Sequence, residues 1–431
     1  MNDKDKPDLK SFAALIGLDW ADQKHDVALR VPGTDRVETS TFKHEPQAIA
    51  DWVSALRQRF GQGPIAICLE QARGALIYAL MGYENLVLYP INPKTLAKLR
   101  AALYPSGKKD DPVDAALLLA LLEKFSAQLT AWKPDDPTTR QLGFLVEARR
   151  GFVDQCTGLT NQLRSVLKAY FPQALVLLGE DLSSRLATDF LQRWPTLAAV
   201  QAAKTSVVRA FYYGHNSRSA ERLQERLQLL AQAVALTHDR AVIAAHRLAA
   251  QSLAQAIAAL RPIIARYDQE IGRLFAAHPD AALFASLDGA GAALAPRLLA
   301  AFGTDRQRLA HADAMACSSG TAPVTEKSGQ QKWVHRRWAR PVFVHQSFVE
   351  FAGQSVRFSR WAKCCYDHLI RQGHGHWAAL RVLAVKWQRI LWRCWQDRTP
   401  YDEARYLKSL QKRGLEIYAC LWLEPAPAHG E

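Results

Sequence analysis

The first 130 or so residues alternate between short apolar runs and segments with a helical period. FAALIGLDW is an apolar run that closes on an acid. DVALRVPG and VETSTFKHE read as two further strands, with Pro32-Gly33 as a turn. PQAIADWVSALRQRF spaces its apolar residues as a helix does and opens on Pro46, which suits a first helical turn. IAICLE and NLVLYPINP predict short strands, while PKTLAKLRAAL and PVDAALLLALLEKF predict helices. Three strands followed by alternating helix and strand predict an α/β domain of the ribonuclease-H-like order over residues 10–128. On pattern alone, a nucleotide-binding α/β domain fits nearly as well.

The period then changes. Phe152, Cys156, Leu159, Leu163, Val166 and Tyr170 fall at steps of 4, 3, 4, 3 and 4, a heptad seam that Pro172 ends. A second seam runs through Leu253, Ile257, Leu260, Ile264, Tyr267, Ile271 and Leu274, with Pro262 inside it and expected to kink the helix. Residues 140–276 are therefore expected to form a long helical coiled-coil region, an antiparallel hairpin around an irregular insert near 175–217. Heptads do not say whether the partner helix lies in the same chain, so an internal bundle and a dimerisation arm both stay open. Beyond, SLDGAGAALAPRLLAAFG sets Gly289 and Gly291 between two helical patterns. Residues 280–415 are expected to be a mainly α C-terminal domain.

Composition narrows the partners. A chain of 431 residues, 49% hydrophobic, is long enough for two or three domains. The net charge of +14 favours a polyanionic partner. Residues 327–413 hold 18 Lys and Arg against 5 Asp and Glu, so nearly all of that charge sits in one stretch, which also holds seven of the twelve tryptophans. A membrane is not expected: charges interrupt every apolar stretch within the roughly 20 residues a span needs. The opening MNDKDKPDLK has no apolar signal core. Seven irregularly spaced cysteines without a C-x-x-C fit a reducing, cytoplasmic setting and argue against a disulfide framework or a zinc ribbon. Cys364, Cys365, His368, His374 and His376 fit no standard zinc spacing.

The acids are the candidate chemistry. Asp19 ends the first strand and Glu70 a later one, while Asp111 and Asp114 stand at a helix start, three residues apart on one face. Strand ends beside a helix start can gather four carboxylates, which repel one another unless cations fill the site. Hard oxygen ligands select Mg²⁺ or Mn²⁺. Two such ions suit phosphodiester chemistry. Each acid alone has a plainer reading as a turn residue or an N-cap, Asp110 and Asp111 especially. Glu70 is harder to dismiss, because it closes an apolar strand.

GLDWA, CLEQ, YPINPKTLAKLR and KKDDPVDAALLLA, in that order, resemble the N-terminal domain of the DEDD insertion-sequence transposases, the IS one-ten family, itself similar to RuvC resolvases. The family's K-x-D-x-x-D-A pattern falls on Lys109, Asp111, Asp114 and Ala115, which selects Asp111 over Asp110. SLDGAGAALAPRLLAAFG resembles the family's P-G-I-G helix–hairpin–helix element, with Asp288 in place of proline and Ala290 in place of isoleucine. SSGTAPVTEKSGQQKW resembles its G-x-x-P then S-G segment, on Gly320, Pro323, Ser328 and Gly329. The stretch from Tyr366 to Tyr401 is similar to its closing helices.

The resemblance implies a RuvC-like domain that holds Mg²⁺ or Mn²⁺ on Asp19, Glu70, Asp111 and Asp114. It implies Ser328 as a nucleophile that forms a covalent phosphoserine on DNA, with Ser318 and Ser319 as nearby rivals. It also implies a structured guide RNA. A homodimer or tetramer is expected from the helical seams and from catalytic groups divided between domains. Lys108, Lys109, Lys332, Arg336, Arg337 and Arg340 are the expected nucleic-acid contacts, although such residues also make ordinary solvated faces. The alternatives are a RuvC-like metal-dependent nuclease that needs no serine, and a non-catalytic nucleic-acid-binding protein. A sugar-kinase-like ATPase would need a glycine-rich phosphate loop after Asp19, and GLDWADQK has none.

Overall fold

The computed structural model describes residues 9–70, 73–104, 111–414 and 421, with Asp111 described by its backbone alone. The chain divides into two compact units, residues 1–134 and 135–431.

The first unit contains β1 (Ala14–Asp19), β2 (Lys24–Arg30), β3 (Val37–Lys43), α1 (Pro46–Phe60), β4 (Ile65–Leu69), α2 (Ala75–Leu80), β5 (Leu86–Pro90), α3 (Pro93–Leu103) and α4 (Asp111–Phe125). Its sheet has the order β3-β2-β1-β4-β5. The first three strands are antiparallel neighbours, and β4 and β5 run parallel to β1. The strands and helices expected from the apolar pattern all form. The helix missed is α2, whose six residues are too few to show a period.

Alternate side chains of the central strands feed two cores. Ile16, Leu18, Ile67 and Leu69 meet Ile49, Val53 and Leu56 of α1 on one face. Leu15, Ala66 and Cys68 meet Leu118, Leu119 and Leu122 of α4 on the other. Because β1 and β4 are covered on both faces, they read in sequence as unbroken apolar runs.

The second unit is almost wholly helical. It begins with α5 (Pro137–Tyr170), continues through α6 (Ala174–Leu178), α7 (Arg185–Arg193), α8 (Leu197–Gln201), α9 (Thr205–Gly214) and α10 (Ala220–Gln232), and returns along α11 (Arg240–Ala277). It closes with α12 (Ala281–Ala285), α13 (Gly291–Phe302), α14 (Ala312–Ser318), the hairpin β6 (Val324–Ser328) and β7 (Gln331–His335), then α15 (Val342–Phe358), α16 (Arg360–Arg371), α17 (His376–Asp397) and α18 (Glu403–Arg413).

The helices α5 and α11 are antiparallel partners. The Phe152 and Tyr267 rings lie 5.4 Å apart, and the Tyr170 and His246 rings 6.0 Å. Within the chain, α11 packs back along α5. One core forms around its tip with α6–α10, and another around its root with α12–α18. Pro262 does not end α11, which runs through it as one element.

Residues 175–217 are not the irregular insert expected. They form short helices, α7 and α8 capped by the Ser184 and Thr196 hydroxyls. Such helices are too brief for periodicity to reveal, and their buried faces point inward to one cluster around Phe190, Trp194 and Phe211.

Among the described residues, α11 alone is long and apolar enough to cross a bilayer by length and composition. Arg247 and Arg261 interrupt it, and it packs along α5. Cys68, Cys156, Cys317, Cys365 and Cys394 are free thiols, whereas Cys364 is disulfide-bonded.

Candidate active site

In the first unit, register brings the acids to one end of the sheet. Leu18 pairs with Leu69, so Asp19 and Glu70 follow at the same level on neighbouring parallel strands. Asp19 continues the face of Leu15 and Gly17, which is the α4 face. Gly17 sets how closely α4 packs on β1. A Cβ on it would lie 2.0 Å from the Ala115 carbonyl oxygen and 2.4 Å from the Leu119 nitrogen. Only glycine lets the helix backbone come this close to the strand. Asp114, in the first turn of α4, is thereby carried to the same end of the sheet as Asp19. A salt bridge from Arg30 to Glu123, 3.0 Å, ties the far end of α4 to β2.

Asp114 is 2% exposed. Its carboxylate accepts two hydrogen bonds from Arg100 of α3, one from Nε at 2.6 Å and one from Nη2. Sequence reasoning missed this partner, and it missed Asp26 of β2, which lies directly across from Asp19 and is 4% exposed. The signal for Asp26 was available: a strand turning back after GLDWADQK must set an acid opposite Asp19.

Asp111 opens α4, but its side chain lies outside the described residues, as do Lys108 and Lys109. Among the described residues, no group of three His, Cys, Asp or Glu side chains is close enough to hold a metal ion. The expected cluster is thus present as neighbouring elements and not as an assembled ligand set, with Arg100 occupying the Asp114 carboxylate. The donor chemistry, carboxylate oxygens with one buried acid among them, fits a hard divalent cation. The cysteines and histidines between 364 and 376 form no metal group among the described residues either, and His376 instead bonds the Tyr366 hydroxyl at 2.8 Å.

The second unit presents Ser328 at the end of β6, beside a two-residue turn of Gly329 and Gln330. Gly329 has φ 58°, the conformation such a hairpin turn demands of glycine. Every residue from Thr325 to Arg336 is exposed, Ser328 and Lys332 included. Lys327 and Lys332 stand directly opposite one another, an unfavourable like-charge pair unless an anion lies against them.

The rival serines are otherwise engaged. Ser319 is fully buried and accepts a hydrogen bond from Gln388 Nε2 at 2.8 Å, while Thr321 donates to Gln388 Oε1 at 2.7 Å. Ser318 donates to the Met315 carbonyl oxygen at 3.1 Å. Arg340 lies against Gly320, whose φ is 70° and whose Cβ would meet the Arg340 Cβ at 2.3 Å. Arg336, Arg337 and Arg340 follow the hairpin, Arg336 stacked over Trp338 at 4.4 Å. Three of the other six tryptophans of this basic stretch, Trp361, Trp387 and Trp395, are fully buried in the core.

Two family profiles match the chain. A transposase family profile of the DEDD type matches residues 16–172. A second, described as the transposase IS116/IS110/IS902 family, matches residues 281–367. The chain is similar to a mini-circle putative transposase for IS117 from Streptomyces coelicolor, 28% identical, covering 92% of this chain and 97% of that protein. It is also similar to an uncharacterized 42 kDa protein of insertion element IS900 from Mycobacterium paratuberculosis, 25% identical over 90% of this chain and 97% of the relative.

Proposed function

This chain belongs to the IS110 family of insertion-sequence transposases and is a DNA transposase, and from that premise we propose that it exchanges DNA strands through a covalent serine linkage, guided by a structured RNA. The first unit is read as a RuvC-like domain over residues 10–128, followed by the coiled-coil region 140–276 and the serine-bearing domain 280–415. In the proposed step, the Ser328 Oγ attacks a DNA phosphorus. An Oγ–P bond forms, one P–O bond to deoxyribose breaks, the hydroxyl proton leaves Oγ, and the freed sugar oxygen takes up a proton. The bond energy stays in the phosphoserine, so rejoining needs no nucleotide cofactor.

Asp19, Glu70, Asp111 and Asp114 are the residues to hold Mg²⁺ or Mn²⁺, which when bound would supply charge neutralisation at a phosphate. The observation that carries the reading is the Gly17–α4 contact, because it delivers a buried carboxylate on a helix start to the strand ends that bear Asp19 and Glu70. The exposure of Ser328 beside a lysine pair supports the second centre.

The test is a cleavage assay with the element's own end DNA, its flanking RNA and Mg²⁺, comparing the native protein with Ser328→Ala and Asp19→Ala. The expected result is a protein–DNA adduct stable to denaturant, absent from both variants. Normal cutting by Ser328→Ala together with none by Asp19→Ala would make the protein a metal nuclease and remove the serine from the mechanism.

A further inference from the structure

A groove of about 580 Å³ lies in the second unit between the root of the β6–β7 hairpin and one face of α17. The α17 wall is a stripe of Ala378, Arg381, Val382, Val385, Lys386 and Arg389, on the side of the helix away from its buried Leu383 and Trp387. The hairpin supplies Val334, His335, Arg336 and Arg337. Five lining residues are therefore permanent cations, and no acid lines the groove. Arg389 is partly compensated by Asp313 at 2.6 Å.

Arg381 of the groove and the neighbouring Arg340 are strained electrostatically. Burial first, and then the charge of Arg336, hold the Arg381 guanidinium below its ordinary pKa. Arg340 is lowered by burial, Arg336 and Arg381. The Nε atoms of Arg337 and Arg340 are buried without a hydrogen-bond partner. Cations gathered this way oppose one another until an anion joins them.

The groove is not a purely ionic surface. Valines and an alanine alternate with its cations. Trp377, 65% exposed, sits one turn before Arg381, and Trp338, 70% exposed, stacks on Arg336. Large exposed aromatic faces beside phosphate-binding groups are what a strand with unstacked bases uses. A duplex offers the same phosphates but keeps its base faces covered.

We propose that this groove binds an unpaired nucleic-acid strand, with phosphates on Arg336, Arg381 and Lys386 and bases stacked on Trp338 and Trp377. By strand alternation, Lys327 and Lys332 share the hairpin face of Val334 and continue the cationic track toward the turn beside Ser328. The inference rests on the transposase reading only in taking the anion to be nucleic acid, and it does not require Ser328 to react.

The test uses the full-length Ser328→Ala protein without divalent metal, so that binding is measured apart from cleavage. The probes are labelled single strands of about 12 nucleotides, one DNA and one RNA, and the corresponding DNA duplex. The expected result is tighter binding of a single strand than of the duplex. Arg381→Ala should weaken single-strand binding about tenfold and lower the salt slope by about 0.7. Trp338→Ala with Trp377→Ala should weaken it about tenfold or more, leaving the slope and the duplex affinity unchanged. Arg185→Ala, an exposed charge on α7, should change little. Whichever single strand shows this dependence identifies the groove's natural ligand. Equal binding of duplex and single strand, or tryptophan substitutions that weaken both alike, would overturn the proposal, as would unaltered binding by Arg381→Ala. Loss of the adduct assay's signal with groove binding intact would count against the serine step alone.

Discussion

Asp114 and Arg100 show how one residue pair decides the state of the candidate metal site. The Asp114 side chain is 3% exposed and that of Arg100 18%. Removing the arginine leaves a buried carboxylate without its counter-charge, which costs about 3 kcal/mol. Arg100→Ala should therefore lower the melting temperature. Because a cation can take the place of the guanidinium, Mg²⁺ should raise the melting temperature of the variant more than that of the native protein. Identical Mg²⁺ responses would remove Asp114 from the ligand set.

His25 makes a second prediction at this scale. It is fully buried on the α1 face, bonds His44 at 2.9 Å and packs on Phe42. Burial first, and then the His44 ring, push its pKa from 6.5 down to about 4. As pH falls through 6.5 the unfolded chain takes up a proton that the folded chain refuses, so stability declines until about pH 4 and then levels. The loss is up to about 3 kcal/mol. His25→Gln should flatten the dependence of melting temperature on pH across that window, and an unchanged profile would show that another group governs it.

At the scale of elements, the contact between β1 and α4 is the one the site depends on. A methyl group at position 17 would drive into helix backbone, which cannot rotate away as a side chain would. Gly17→Ala should cost about 3 kcal/mol by overpacking and reduce activity in parallel, read by thermal melting and by the cleavage assay. Gly33→Ala is the control, since Gly33 has φ 85° but open space around it. A larger loss there than at position 17 would mean that backbone conformation, not crowding, sets the cost.

The β6–β7 hairpin behaves differently because it has almost no buried surface. Gly329→Val forces a β-branched residue into the left-handed region at about 1–2 kcal/mol, enough to disturb an isolated hairpin. The adduct yield should fall several-fold while the global melting temperature stays put. An unaltered adduct would show that the turn does not position Ser328.

At the scale of the molecule, the chain separates scaffold from chemistry. The first unit encloses its sheet between two apolar layers and leaves acids at the strand ends. The second uses the α5–α11 hairpin to join two helical cores, and the mid-hairpin residues Phe152, Cys156 and Leu159 are only half-buried. The basic stretch 327–413 folds so that residues such as Trp361, Leu383, Trp387 and Trp395 build the core while Arg336, Arg381, Lys386 and Arg389 line a groove.

Local pattern determined much of this in the sequence alone. Short apolar runs gave β1, β4 and β5, the Pro46 and Pro93 starts gave α1 and α3 to the residue, and the heptad steps gave the antiparallel long helices. These are short-range consequences of period and capping, and a chain carries them wherever it packs. Asp19 and Glu70 were legible because each closes an apolar run. Tertiary structure decided what depends on the packing of separate elements: the pairing of Asp114 with Arg100, the glycine on which α4 rests, and the meeting of α17 with the hairpin. No period encodes these contacts, because they arise only when packing brings separate elements together, and that is where buried charge finds or lacks its partner.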